Sequence, residues 1–170
     1  HHNMIWTKNS SPFTGAFEYI TSQQIDGVFP EFPQMTRWPS DAWTTACVAS
    51  ALFEMTQNPN LPQIIKSCDT LLKLRQKDGW WSYNTTVRSD PDSTARVIQF
   101  FQKIGYYNFE IFNEAFAFIM SHQDRKTWGI MTYTPDNLTE IRKLDKSRWY
   151  PGWGWDQSHA CVSAVVHKVL

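Results

Sequence analysis

The run Leu71-Leu72-Lys73-Leu74, continuing to Gln76-Lys77-Asp78-Gly79-Trp80-Trp81, decides the fold. An apolar helical segment stops at a polar turn, and glycine just past the last periodic residue is a common helix terminator. The same plan occurs twice more. Phe17-Glu18-Tyr19-Ile20 leads to Gln23-Gln24-Ile25-Asp26-Gly27-Val28-Phe29, and Phe116-Ala117-Phe118-Ile119 leads to Gln123-Asp124 and then Trp128-Gly129-Ile130. Gly27 and Gly79 are 52 residues apart, and Gly79 and Gly129 are 50 apart. A repeat of that period marks an array of similar units, longer than the units of TPR, ankyrin or HEAT arrays, whose signatures are absent.

After each turn come a loop and a second helix of different character. These helices are expected from Asp41 to Phe53, from Asp92 to Phe101 and from Asp156 to Val166, each opening on an aspartate of N-cap type. The first and third are nearly apolar all round and suit a helix packed on every side, whereas the first helix of each pair is more amphipathic and suits an outer layer. The expectation is an all-α fold: a partial α/α toroid of three hairpins, each an outer plus an inner helix, at about 13–56, 60–104 and 109–170. These hairpins form one domain over 13–170. Residues 1–12 read as an N-terminal extension, with His1-His2 as a tag remnant. A plain helical bundle is the competing fold, but it does not require the same turn at the same place three times.

The 170 residues suit one domain with a real core. Lys plus Arg number 16, as do Asp plus Glu, so no net field favours nucleic acid or an anionic membrane. No apolar run approaches the roughly 18 residues of a membrane span, and no secretory leader is visible. Cys47, Cys68 and Cys161 are odd in number and fall in expected helices, which argues against a disulfide framework and for a reducing, cytoplasmic setting. Structural cysteines are expected at Cys47 and Cys161, since neither has a basic neighbour in sequence.

Aromatic residues make up 15% of the chain, several of them outside the helical runs at Phe29, Phe32, Trp38, Trp80, Trp81, Trp149, Trp153 and Trp155. Rings in loops either plug the end of a helical barrel or line an apolar pocket. The stretch from Met131 to Trp155 has few helix signals apart from a short one over 137–146. It carries Arg142, Lys143, Lys146 and Arg148 beside its tryptophans. It reads as a solvated loop with tryptophan anchors, or as a lid that meets a diphosphate.

The turn Gln76 to Trp81 is similar to the glutamine–tryptophan repeat motif of squalene and oxidosqualene cyclases, with Gln23 to Phe29 and Gln123 to Gly129 as weaker versions. The resemblance implies that glutamine and aromatic tie one hairpin to the next. Asp90-Pro91-Asp92-Ser93-Thr94-Ala95 resembles the Asp-x-Asp-Asp-Thr-Ala motif of class II terpene cyclases, departing from it at Ser93. That likeness implies Asp92 as the acid that protonates an alkene or epoxide, and Asp90 as its hydrogen-bond partner. A carboxyl in an apolar site keeps its proton, and a second carboxylate nearby strengthens the effect. Aromatic walls stabilise a carbocation by about 0.5–2 kcal/mol per contact. The plain alternative for both aspartates is a turn and an N-cap.

Asp90, Asp92 and His159 also resemble the Asp, Cys and His that hold zinc in protein prenyltransferase β subunits, with Asp in place of Cys. Two carboxylates and an imidazole suit Zn or Mg as a weak alternative to having no cofactor. In the proton-transfer reading His159 instead tunes Asp92 from the same mouth. Trp43, Trp81, Trp153, Trp155 and Arg148 are the candidate substrate contacts. Arg37, Arg88 and Arg96 lie near the expected rim, able to pair with anions or with Asp90.

The expected function is proton-initiated cyclisation of an isoprenoid. A non-catalytic binding or scaffolding module reusing the toroid arc is the alternative, and a metal-dependent prenyltransferase-like enzyme is a third reading. Complete toroids of this kind use more hairpins than three, so a homodimer or a partner subunit is expected to cover the open flanks.

Overall fold

The computed structural model describes residues 12–31, 39–85, 87–137 and 157–169. Six helices are found among them: α1 (Pro12–Ser22), α2 (Ala42–Thr56), α3 (Pro62–Lys73), α4 (Pro91–Ile104), α5 (Phe109–Ser121) and α6 (Ala160–Val166). The described residues hold no strand, only isolated bridges such as Ile25 to Val28 and Gln123 to Ile130 across the turns. The fold is all-α.

The inner helices α2, α4 and α6 lie with α4 in the middle, while α3 packs on α2 and α5 on α4. Two contacts fix the direction of the central pair. Trp43 near the start of α2 bonds Asp92 near the start of α4, and Glu54 near the end of α2 pairs with Lys103 near the end of α4. Both links join residues 49 apart in sequence, so α2 and α4 run parallel and in register. Along α4, Gln99 donates to the Val165 carbonyl of α6, and further on Gln102 and Lys103 share a cavity with Lys168. Lys168, just past the end of α6, also acts on Glu54, which pairs with Lys103 at the end of α4, so α6 runs parallel to α4 as well.

Sequence explains why α4 is the hub. Ala95, Val97, Ile98, Phe100 and Phe101 are fully buried, while Asp92, Arg96, Gln99 and Lys103 recur on the remaining face at helical spacing. Leu52 of α2, Ile64 and Leu71 of α3, Trp81 and Ile119 of α5 complete the fully buried core around it.

Each turn is pinned to its own inner helix by the same bond. The amides of Phe29, Trp81 and Ile130 donate to the hydroxyls of Thr45, Thr94 and Ser163, at 2.9, 3.3 and 2.9 Å. Each hydroxyl lies four residues beyond its helix cap (Asp41, Asp90 and His159). The turns also reach the next outer helix. Gln24 Nε2 donates to the Gln63 carbonyl at 2.8 Å and to Ser67 Oγ at 2.9 Å, and Trp80 stacks on Phe118 with ring centroids 5.3 Å apart.

Several expectations need correction. The middle inner helix begins at Pro91 with Asp90 as its cap, not at Asp92, because proline suits the first helical position and Asp90 accepts from the Ser93 amide. The third begins at Ala160, well after Asp156. Ser158 bridges to Met131 and the His159 amide donates to the Ile130 carbonyl, which keeps this stretch extended. The first and third inner helices are not packed on every side: Cys161 is exposed and Cys47 half-buried, and of the three free cysteines only Cys68 is buried. Among the described residues no helix is long and apolar enough to cross a membrane. A helical turn forms at 135–137; the rest of the helix expected to Lys146 lies outside the described residues. So do Phe32, Arg37, Trp38, Arg142, Lys143, Lys146, Arg148, Trp149, Trp153, Trp155, Asp156 and the His1-His2 pair.

Candidate active site

The loop of residues 82–89 draws the starts of α2 and α4 together. Tyr83 is its pivot. Its amide donates to Asp90 Oδ2 at 3.0 Å, its carbonyl accepts from the Asp41 amide at 3.1 Å, and its hydroxyl donates to Glu31 in a short hydrogen bond. Asp41 caps α2 through the Ala42 amide, and its other oxygen accepts from the Thr85 amide at 3.2 Å.

Asp90 is only 4% exposed. Its Oδ1 accepts from the Ser93 amide at 2.8 Å, and its Oδ2 from Ser93 Oγ at 2.8 Å as well as from Tyr83. Burial pushes its pKa up to about 7; the Ser93 and Tyr83 bonds oppose the rise, and the nearby Asp92 adds to it. Tyr133, buried in the segment after the third turn, faces the same carboxyl. Burial first and then the charge of Asp90 raise its phenol above the usual range.

Asp92 is placed differently. Its side chain is 27% exposed, and Oδ2 accepts from Trp43 Nε1 at 2.9 Å. Oδ1 lies 3.9 Å from Arg96 Nε, too far for a hydrogen bond, and these two buried atoms have no hydrogen-bond partner. The guanidinium carbon of Arg96 stands 5.7 Å from the centre of the Trp43 ring. Burial raises the Asp92 pKa, while the Trp43 bond and then the Arg96 charge pull against it.

The partner of Asp92 is thus Trp43, not Asp90 or His159. Asp90 spends its oxygens on capping α4 and holding the Tyr83 loop. His159 caps α6 through its backbone. Lys168, just past the end of α6, and Lys103, in the last turn of α4, both act on Glu54, so His159 and Asp92, at the opposite ends of these two helices, lie toward the same end of the inner layer. Arg96 faces Asp92 rather than Asp90. Trp81 is a core residue: it is fully buried, its indole donates to the Leu71 carbonyl at 2.6 Å, and its ring meets Phe101 edge-on. It presents no face to a ligand, because the turn needs its volume beneath α4. Trp43 stands at the rim; Trp153, Trp155 and Arg148 lie outside the described residues.

Asp90, Asp92 and His159 do not fit a metal. Among the described residues no three such side chains gather at ligand distance, and the Asp90 oxygens already accept three hydrogen bonds. Zn or Mg at these three positions is set aside on that geometry.

Below the rim, α2, α4 and Lys168 just past α6 bound a groove with two adjoining cavities of about 160 and 360 Å³. Arg96, Gln99 and Lys103 line both, Glu54 one and Lys168 the other. Sequence reasoning singled out neither the Trp43–Asp92 bond nor Tyr133. The signals were faint: Trp43 and Asp92 each stand second in an inner helix, and Tyr83 and Tyr133 each follow a turn by the same step.

Helical hairpins repeated around parallel inner helices define a terpene cyclase-like all-α fold. Solved structures bear this out. The chain is similar to a protein from Actinoplanes, with a TM-score of 0.72 at 23% identity over 92% of this chain and 47% of that one. It is similar also to variants of the type II terpene cyclase MstE from Scytonema. One, in complex with its product merosterolic acid A, gives a TM-score of 0.69 at 23% identity. Another, in complex with its substrate geranylgeranyl dihydroxybenzoate, gives 0.72 at 24%, covering 92% of this chain and 46% of that one. The chain therefore spans about half the length of these proteins. No family model and no curated protein sequence matches it.

Proposed function

We propose that this chain carries the proton-donating half of a type II terpene cyclase-like site, acting on an isoprenoid with Asp92 as the acid. The observation that carries the reading is the state of Asp92: a largely desolvated carboxyl at the start of the central inner helix, with one oxygen held by Trp43 and the other bare. The O–H of protonated Asp92 adds its hydrogen to the less substituted carbon of the isoprenoid's last trisubstituted alkene. The new C–H bond consumes the π pair, leaves a tertiary cation on the neighbouring carbon and leaves Asp92 as carboxylate. Trp43 offers a π face beside that carbon, and Asp90, through its hold on Tyr83 and α4, positions Asp92 without touching substrate. The complementary walls of such a site come from residues outside this chain's 170, which span about half the length of the structures it resembles. His159 contributes at the same rim.

Asp92→Asn keeps the size and the Trp43 bond but removes the acidic proton. Incubated with a geranylgeranyl-bearing phenolic acid or with a prenyl diphosphate, the wild type is expected to form cyclised product and the variant at least 100-fold less, the usual scale for loss of a general acid. Equal turnover by a folded variant defeats the reading.

A second reading is favoured by the groove. The inner face of α4 is polar at Asp92, Arg96, Gln99 and Lys103, as expected of a binding module rather than of a chamber for a bare hydrocarbon. Ligand binding without any conversion, by wild type and Asp92→Asn alike, is its signature.

A further inference from the structure

Arg96 and Asp92 form an incomplete pair. Their facing atoms are 3.9 Å apart, buried, and each without a hydrogen bond, although an arginine and a carboxylate at this spacing on one helix can normally close a short contact. Trp43 accounts for the gap. Its indole N–H fixes Asp92 from one side, and its ring lies against the guanidinium from the other. The Arg96 charge is held close to Asp92 without being spent on it.

The other cations of the groove are already used. Lys103 lies in the last turn of α4 and Lys168 just past the end of α6, where the helix dipole favours a positive charge. Lys103 is paired with Glu54, and Lys168 also acts on that carboxylate. Arg96 is in mid-helix, near Asp92 but without a hydrogen bond to it at Nε, and it lines both cavities. Water takes roughly 30 Å³ per molecule, so cavities of about 160 and 360 Å³ have room for an oxyanion beside it.

We propose that Arg96 is an anion receptor coupled to Asp92: the oxyanion head of a ligand, diphosphate or carboxylate, entering the groove engages the guanidinium and withdraws it from Asp92, which then takes a proton from solvent. Binding of the charged head thereby arms the acid. The groups that bear on Asp92 are Asp90 and Arg96 from α4 and Trp43 and Cys47 from α2; Lys103 acts on Cys47 from further down the groove. Among the described residues, only Arg96 both touches the groove and supplies a positive charge facing Asp92. The inference rests on the proton-donor reading for its purpose, but binding and titration test it without turnover.

The experiment uses the 170-residue chain with ¹³C-labelled aspartate carboxyls, the Asp92 signal being assigned by its loss in Asp92→Asn. Inorganic pyrophosphate and benzoate are the probes, and affinity is read by calorimetry. One probe or both should bind the wild type and raise the Asp92 titration midpoint by about one pH unit or more. A response to pyrophosphate alone assigns a diphosphate head, and a response to benzoate alone a carboxylate head. Arg96→Met should weaken binding at least tenfold, and its Asp92 midpoint should start high and stay there when probe is added. Arg96→Lys, which keeps the charge, should bind within a few-fold of wild type. If Arg96→Met does not fold, Arg96→Gln reads the same two quantities. No binding of either probe, binding that leaves the Asp92 midpoint unmoved, or unchanged affinity in the Arg96 variants overturns the proposal. A protein that cyclises substrate while Asp92 ignores anions keeps the proton-donor reading and loses this one. Coupled titration without turnover does the reverse.

Discussion

Among the described residues, Asp90 is one whose ionisation is tied closely to folding. Its folded pKa of about 7 stands above the unfolded carboxylate value near 3.8, so the folded chain holds this proton more tightly than the unfolded chain does. The stabilisation from that proton is fully present below about pH 4 and is lost as pH rises through about 7; each unit of separation is worth about 1.4 kcal/mol. Asp41 and Asp92, also raised, act in the same direction, while Glu54 and Asp124, lowered, act in the opposite one. Comparison with Asp90→Asn isolates the single group. Asparagine still accepts from the Ser93 amide but not from Tyr83 as well, a lost bond worth about 1–3 kcal/mol at any pH. Urea midpoints measured from pH 4 to pH 8 should therefore show the wild-type advantage over the variant shrinking as pH rises. A constant difference would show that Asp90 does not titrate in this window. The carboxyl pair itself was legible in Asp90-Pro91-Asp92, but the division of labour within it was not. Pro91 at the first helical position makes Asp90 the cap and leaves Asp92 in the first turn, on the face that carries Arg96, and the Trp43 that receives it lies 49 residues away in sequence.

Among the elements, the turns carry the sharpest consequences. Gly27 and Gly105 both have positive φ, +85° and +76°, but their surroundings differ. A Cβ on Gly27 would stand 2.1 Å from Thr70 Oγ1 and 2.7 Å from the Lys66 carbonyl, because the first turn lies directly on α3. A Cβ on Gly105 would meet nothing within 4 Å. Gly105→Ala should cost only the backbone strain, about 1–2 kcal/mol. Gly27→Ala adds a clash with a neighbouring backbone and should cost roughly 2–5 kcal/mol, with α3 displaced. Equal losses in thermal or urea unfolding would mean that the turn does not rest on α3. The glycines were readable as a fifty-residue rhythm, but they mark the turns and not the helix stops: the outer helices end earlier, at Ser22, Lys73 and Ser121, the last two capped by Leu74 and His122. The starts of the inner helices were less readable. Asp156 has the chemistry of a cap, but the pairing of Ser158 with Met131 and of His159 with Ile130 holds the chain extended until Ala160. A tertiary contact overrode a local preference. The same holds for Trp81, which looked like a pocket wall as a loop aromatic and is core because its turn passes beneath α4.

At the scale of the whole molecule, burial is concentrated in the centre of the inner layer. Most of α4 is buried, including five fully inaccessible apolar side chains, whereas α1 buries only Gly15 and leaves Phe13 and Tyr19 more than half exposed. At 11 residues, with no acidic residue in its first turn and no basic one in its last, α1 has little helical stability of its own, since isolated helices shorter than about 12–15 residues are marginal in water. It is held by Phe17 and Ile20 against the core and, at its end, by the Gln24 bonds to α3. Local opening should therefore release α1 while the α2–α4 pair stays closed, joined as it is at both ends through Trp43–Asp92 and Glu54–Lys103. Native-state hydrogen exchange at neutral pH should find the α1 amides exchanging first, by an opening that urea hardly affects. The amides from Val97 to Phe101 should exchange last, only through global unfolding. If α1 proves as slow as α4, its outer face is covered in solution.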